Sequence, residues 1–215
     1  MSDATHVGGA VIEVRDVSRR RGGRLVVDDV SFTIAGGEVA ALVGANGAGK
    51  STLLAIIAGA LSPDRGWVAI AGATSGRRRQ LGYVPEAADP PGHLTGGELL
   101  ALAAALRRAP PLDDATRACL GVDALASQRL ERMSLGQRRR ACLAAALVGA
   151  PPALVLDEPD NGLDADGLDT LVALVAAATA RGAAVLVATH DPAVRARLAA
   201  RELHLDAGKL SSRSP

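Results

Sequence analysis

The segment Gly44-Ala45-Asn46-Gly47-Ala48-Gly49-Lys50-Ser51-Thr52 constrains this chain more than any other feature. It follows the pattern G-x-x-x-x-G-K-[ST]. The short continuous apolar run Val39–Val43 precedes it, and Ser51–Ala60 follows with helical spacing, placing Leu53, Leu54, Ile57 and Leu61 on one side. A strand buried on both faces, a glycine loop and a helix in that order form a phosphate cradle. Glycines let backbone N–H groups turn inward around phosphate oxygens, and the positive end of the helix points at the same anion. Lys50 can reach the β- and γ-phosphates, and the Ser51 hydroxyl can ligate Mg²⁺. The segment therefore predicts a nucleotide-phosphate site made of Gly44, Asn46, Gly47, Ala48, Gly49, Lys50, Ser51 and Thr52.

A phosphate loop needs a metal partner at the end of a neighbouring strand. Ala153-Leu154-Val155-Leu156-Asp157 supplies one, with four apolar residues burying the strand and a carboxylate emerging at its C-terminal end, where such sheets bind ligands. Asp157 is expected to hold Mg²⁺ through water, and Glu158 to act on an attacking water as general base.

The rest of the chain alternates strand and helix. Strands are predicted over Val11–Val17, Leu25–Ile34, Trp67–Ile70, Leu81–Val84 and Ala184–Ala188, with a basic turn at Arg19–Gly23. Helices are predicted over Leu99–Leu106, Asp113–Leu120, Leu135–Val148, Leu168–Ala180 and Pro192–Ala200, and a closing hairpin joins Glu202–Leu205 to Lys209–Leu210. Such alternation predicts an α/β domain with a mainly parallel sheet. The block from about 87 to 132 has no convincing strand and reads as a helical insertion. The tail, Ser211–Pro215, is polar.

Composition removes several function classes. The chain has 215 residues, 24 basic and 23 acidic, for a net charge of +1, and one each of Trp67, Tyr83 and Phe32. It lacks the electrostatic footprint of a duplex nucleic-acid binder and the aromatic platforms that stack single-stranded bases, so no nucleic acid is expected as partner. The amino terminus, Met1 to Gly9, shows no signal peptide, and the longest apolar runs, Ala141–Pro152 and Leu171–Ala180, fall short of the ~20 residues that cross a bilayer. Cys119 and Cys142 have no metal-ligand spacing and read as small buried hydrophobes in a reducing cytosol. Arg138-Arg139-Arg140 reads as a solvated helix face.

Met133-Ser134-Leu135-Gly136-Gln137 opens a helix 23 residues before Asp157, and His190 follows the Ala184–Ala188 strand. With these motifs the chain, from about Val11 to Leu210, resembles the ATP-binding subunits of ABC transporters, exporter subunits in particular. The resemblance implies a P-loop NTPase core with a mainly parallel sheet, a small antiparallel β subdomain and an inserted helical subdomain. It implies one ATP-binding domain over residues 1–210, with the signature helix starting at 134 and a tail at 211–215. It implies an ATPase with ATP and Mg²⁺ as cofactors, a transmembrane permease subunit as partner, and a head-to-tail pair with a second copy or a related subunit. The cytoplasmic face of the membrane, reached through the partner, is the implied location. Ser134, Gly136 and Gln137 would serve ATP held by the other subunit. Asp164 would end the loop Asn161-Gly162-Leu163-Asp164 that couples the two sites, and His190 would touch the γ-phosphate and the attacking water.

Three positions depart from the family pattern. Leu135 stands where Gly is usual. Glu86 replaces the usual Gln in the loop after Leu81–Val84; it keeps a hard oxygen for Mg²⁺ but cannot donate a hydrogen bond. Arg21 takes the place of the adenine-stacking aromatic, and a guanidinium can stack on a base plane. Glu86 is similar to what drug and polysaccharide exporters carry, while Arg21 and the short chain resemble the haem-export subunit of cytochrome c maturation. A soluble ABC-type ATPase outside transport is the remaining alternative; one phosphate loop and about 46 residues between Glu86 and Met133 disfavour its tandem or coiled-coil forms.

Overall fold

The computed structural model describes residues 9–211, and its strands lie in two sheets. In chain order the strands and helices are β1 (Ala10–Arg21), β2 (Arg24–Ala35), β3 (Val39–Val43), α1 (Lys50–Ile57), β4 (Arg65–Ile70), β5 (Leu81–Val84), α2 (Gly96–Arg107) and α3 (Asp114–Leu120). They continue with α4 (Leu135–Leu147), β6 (Ala153–Asp157), α5 (Ala165–Ala180), β7 (Ala184–Ala188), α6 (Pro192–Arg197), β8 (Arg201–Asp206) and β9 (Lys209–Ser211). Residues 1–8 and 212–215 lie outside the described residues, and with them the reading of the amino terminus and all of the tail beyond Ser211, which itself ends β9.

The smaller sheet is antiparallel, in the order β2-β1-β4. The basic turn expected at 19–23 is not a turn: Arg20 pairs with Leu25 and Arg21 with Arg24, so the ladder runs through the arginines and only Gly22-Gly23 reverses the chain. The larger sheet runs β5-β6-β7-β3-β8-β9, parallel except for β9, which closes the expected hairpin with β8. Trp67–Ile70 and Leu81–Val84, adjacent in sequence, thus belong to different sheets.

Every residue of β6 and β7 is buried, as a parallel sheet covered on both faces requires. Alternate residues serve two cores. Leu42, Ala153, Val155 and Leu186 pack with α1 and the smaller sheet. Ala41, Leu154, Leu156 and Val185 pack with α4 and α5. The block 87–132 carries α2 and α3 and, among the described residues, no strand beyond an isolated bridge between Thr95 and Arg129. Its inner side rests on a separate apolar cluster of Leu125, Leu130, Met133 and Ala141. The architecture is that of a P-loop NTPase core with an antiparallel β subdomain and a helical insertion.

Candidate functional site

Strand order decides which side chains meet. The strands β5, β6, β7 and β3 run parallel, so their following loops all leave at one edge of the sheet. There they line a cleft of ≈ 720 Å³.

The phosphate loop forms its floor. Gly49 sits at φ 105° ahead of α1, and a Cβ there would come within 2.2 Å of the Val26 carbonyl oxygen. Only glycine fits this approach. No side chain caps α1 and its first turn has no acidic residue, so its first N–H groups stay available to an anion. Asn46, Gly47, Gly49, Lys50, Ser51 and Thr52 all line the cleft, as does Arg21 at its far wall. Gly44 and Ala48 shape the loop from behind without lining it; the Gly44 carbonyl accepts a 2.7 Å hydrogen bond from Lys50 Nζ.

Across the cleft the carboxylates gather. Glu158 and Glu86 both line it, whereas Asp157 lies at its base, only 2% exposed. Burial raises the pKa of Asp157, with the Ser51 hydroxyl and the Lys50 ammonium acting in the opposite sense and Glu86 adding to the rise. Burial also raises Glu158, opposed by His190. His190 connects the two sides: its Nε2 is 3.4 Å from Lys50 Nζ and 3.2 Å from Glu158 Oε1. Glu158 itself adopts φ 47°, a left-handed conformation uncommon for a residue with a side chain. Hard oxygens of Ser51, Asp157 and Glu86 beside an ammonium suit Mg²⁺, which takes one or two carboxylates and completes its shell with water and phosphate. Among the described residues no group of three or more His, Cys, Asp or Glu is placed to hold a metal ion.

The remaining residues of interest lie elsewhere. Ser134, Gly136, Gln137 and Asp164 line no part of the cleft. Ser134 and Gln137 form a reciprocal cap on α4, with bonds of 3.2 and 2.9 Å, and the Asp164 carboxylate caps α5 by accepting from Gly167 N–H. Leu135 is 67% exposed and leans over Gly162: a Cβ on Gly162, at φ 76°, would meet Leu135 Cδ2 at 2.5 Å. The start of α4 and the loop 161–164 thus pack together within one chain.

Two readings are corrected. Arg138–Arg140 is not a solvated face: Arg139 is 6% exposed and Arg138 is half-buried. Cys119 is exposed and Cys142 half-buried, so neither is a core residue. Sequence reasoning also missed Asp160, which lines the cleft beside Glu158 and accepts a 3.0 Å hydrogen bond from Thr189, the residue before His190. The helical period offered a signal for Arg139, because it falls on the same stripe as Leu143, Ala146 and Leu147.

Comparison with known proteins identifies the family and the fold. The family model described as ABC transporter matches residues 27–161. The hemin import ATP-binding protein HmuV of Nocardia farcinica is 37% identical over 216 residues, covering 93% of this chain and 75% of its own length. The cytochrome c biogenesis ATP-binding export protein CcmA of Gluconobacter oxydans is 41% identical over 186 residues, covering 86% and 84%. A dimeric post-hydrolysis state of an ATP-binding cassette bound to ADP and Pi superposes with a TM-score of 0.81 at 26% identity, covering 94% of this chain and 97% of that one.

Proposed function

Because the chain belongs to the ABC transporter family as one of its ATP-binding, ATP-hydrolysing subunits, we propose that it drives export through a separate membrane subunit, with its ATP site in the cleft between α1 and the carboxylates. The observation that carries the site is the line Lys50–His190–Glu158 across one cleft. In that site the N–H groups of Gly47 to Thr52 and the Lys50 ammonium bind the β- and γ-phosphates. Ser51 and Asp157, with Glu86 beside them, would hold Mg²⁺, which when bound would supply charge neutralisation at those phosphates. Glu158 accepts a proton from the attacking water, and His190 orients that carboxylate and the γ-phosphate. Arg21 is placed to stack on the base.

One ATP-binding domain over residues 1–210 carries this machinery. Ser134, Gly136 and Gln137, with Asp164 behind them, stand apart from the chain's own cleft and serve the site of a second subunit paired head to tail. That pairing is supported by the dimeric cassette of similar fold. No described helix is long and apolar enough to cross a membrane, so the membrane-side location is proposed to depend on the partner, on the cytoplasmic face. Export rests on the relative named for cytochrome c biogenesis export and on Glu86. The relative named for hemin import supports import as the second reading.

The test combines two measurements. Glu158→Gln is expected to lower turnover by about 10²–10⁴-fold while retaining ATP and shifting the chain from monomer to dimer on sizing. Turnover within a few-fold of the parent would remove Glu158 as the base. Transport into or out of inside-out vesicles holding the co-purified membrane subunit then separates export from import.

A further inference from the structure

Arg139 is a buried guanidinium with no carboxylate partner among the described residues, and its hydrogen bonds there all go to backbone carbonyls. From the second turn of α4 it reaches behind the carboxylates of the cleft and donates to carbonyl oxygens of two separate loops. Nη1 reaches Pro85 at 3.1 Å and Glu86 at 3.3 Å. Nη2 reaches Asp157 at 2.8 Å and also bonds the Glu158 carbonyl, while Nε reaches Pro159 at 3.4 Å. Burial lowers its pKa, against the nearby Cys142, Asp157, Asp160 and Glu86.

We infer that Arg139 is a positioning residue for hydrolysis, fixing the Glu158 peptide and tying it to the Glu86 loop and to the start of α4. The key is the backbone of Glu158. A non-glycine residue at φ 47° persists where its surroundings over-determine it. Here the Glu158 N–H is held by the Ala188 carbonyl of β7 at 2.8 Å, and its C=O accepts from Arg139 and from Asn161 N–H at 3.2 Å. Of these three anchors only Arg139 also ties the turn, whose side chain faces His190, to the Glu86 loop. The planar fork of arginine presents five N–H donors in fixed directions; lysine offers a single rotatable ammonium that cannot serve both loops at once. A movement of the Glu86 loop would therefore pull on the same guanidinium that holds the base, and so would a rotation of α4, which carries Ser134 and Gly136 at its N-terminal end.

This inference rests on the reading of Glu158 as the base, so Glu158→Gln is assayed alongside. With the full chain, Arg139→Met and Arg139→Lys are compared with the parent for kcat, KM for ATP and thermal unfolding, at a temperature well below each variant's melting. Expected is a kcat at least tenfold lower in Arg139→Met with KM within threefold, and an intermediate kcat, at least threefold below the parent, in Arg139→Lys. A merely structural arginine would lower the melting temperature and leave kcat of the folded protein unchanged. A kcat within threefold of the parent in both variants overturns the inference, as does loss of ATP binding in step with turnover. Should Arg139→Met fail to fold, Arg139→Lys decides on the same threshold. Turnover retained by Glu158→Gln removes the base assignment instead, whatever Arg139 does.

Discussion

His190 meets both Lys50 and Glu158 because β7 runs between β6, which ends at the carboxylates, and β3, which ends at the phosphate loop. At the residue scale this arrangement makes Lys50 the group that answers the nucleotide's charge. Its ammonium now rests on the carbonyls of Gly44 and Ala45, 2.7 and 3.3 Å away, uncharged partners that a triphosphate outcompetes. Charge-assisted hydrogen bonds of this kind contribute roughly 1.5–3 kcal/mol, so Lys50→Ala is expected to weaken ATP binding about 10- to 100-fold. Titration with Mg²⁺ present checks it, and equal affinities would remove this loop as the site. Lys50, Ser51, Asp157 and Glu158 were legible in the sequence because phosphate and Mg²⁺ chemistry dictates residue type and spacing there. Arg139 was not, because three adjacent arginines read as a charged surface unless the helical period is followed through Leu143 and Leu147. Nor was Asp160, whose Thr189 partner lies 29 positions away and meets it only once β6 and β7 are paired.

At the scale of elements, the short buried strands and the helices α3 and α4 were read to within a residue, whereas β1 runs four residues past its expected end and the ends of α1 and α2 differ. Val39–Val43, Leu81–Val84 and Ala184–Ala188 have the predicted bounds, since a continuous apolar run has sharp edges. Helix ends depend on capping geometry. α2 begins at Gly96, three residues before the predicted Leu99, because Thr95 and Glu98 cap it reciprocally at 3.2 and 2.8 Å and offset two helix-breaking glycines. α1 stops at Ile57 because Gly59 turns the chain and Arg77 takes the carbonyls of Ile56 and Ile57. Removing the cap with Thr95→Ala is expected to cost about 1 kcal/mol, roughly 2–4 °C in melting temperature for a domain of this size, measurable by calorimetry with ATPase unchanged. The caps also set an acid limit. Backbone and side-chain hydrogen bonds from Thr95 and Thr116 hold Glu98 and Asp113 below their ordinary pKa values of 4.5 and 3.8. Their contribution is therefore present above those values and lost as pH falls through the lower folded-state values. Asp157 and Glu158, raised by burial, act in the opposite sense in parent and variant alike, so the check is the difference: the gap in melting temperature between the parent and Thr95→Ala should be level above about pH 5 and narrow below about pH 4. Leu135 opens α4 with an exposed side chain over Gly162. Leu135→Gly should leave ATP affinity of the single chain unchanged and raise turnover of the assembled pair, because backbone donors then approach the opposite nucleotide freely. A steep fall in turnover would instead identify Leu135 as an adapted contact.

At the scale of the molecule, one surface differs from the rest. Helix α2 buries only Gly96 of its twelve residues, and Leu102 and Leu106 stand 43% and 67% exposed. Beside it a groove of ≈ 630 Å³ runs between α2, α4 and the end of β5, with Pro85, Ala88, Leu99, Ala103, Leu106 and Cys142 among its walls. Its Pro85 end is one residue from Glu86, which faces the nucleotide cleft. On the proposed reading, with a membrane subunit as partner, this trough, apolar along Ala88, Leu99, Ala103 and Leu106 and edged by Arg78, Arg79, Arg107 and Asp89, would take a short helix of that subunit, and movement there would reach Glu86 and, through Arg139, Glu158. Coupling in this sense requires that the partner bind ATP-loaded and empty states unequally. Leu94 is a poor probe of the surface, because it packs on the Leu125, Leu130 and Met133 cluster and pairs with Leu130 N–H at 2.9 Å. Leu106 is the better one: it is exposed, lies on the groove and is remote in sequence from the phosphate loop. Leu106→Asp places a charge in the trough and is expected to reduce co-purification with membranes at least tenfold, with ATPase of the free chain within twofold of the parent. Stimulation of turnover by the membrane subunit should fall in the same proportion as binding. Undiminished membrane recovery of Leu106→Asp, with full stimulation, would move the docking face elsewhere on the chain.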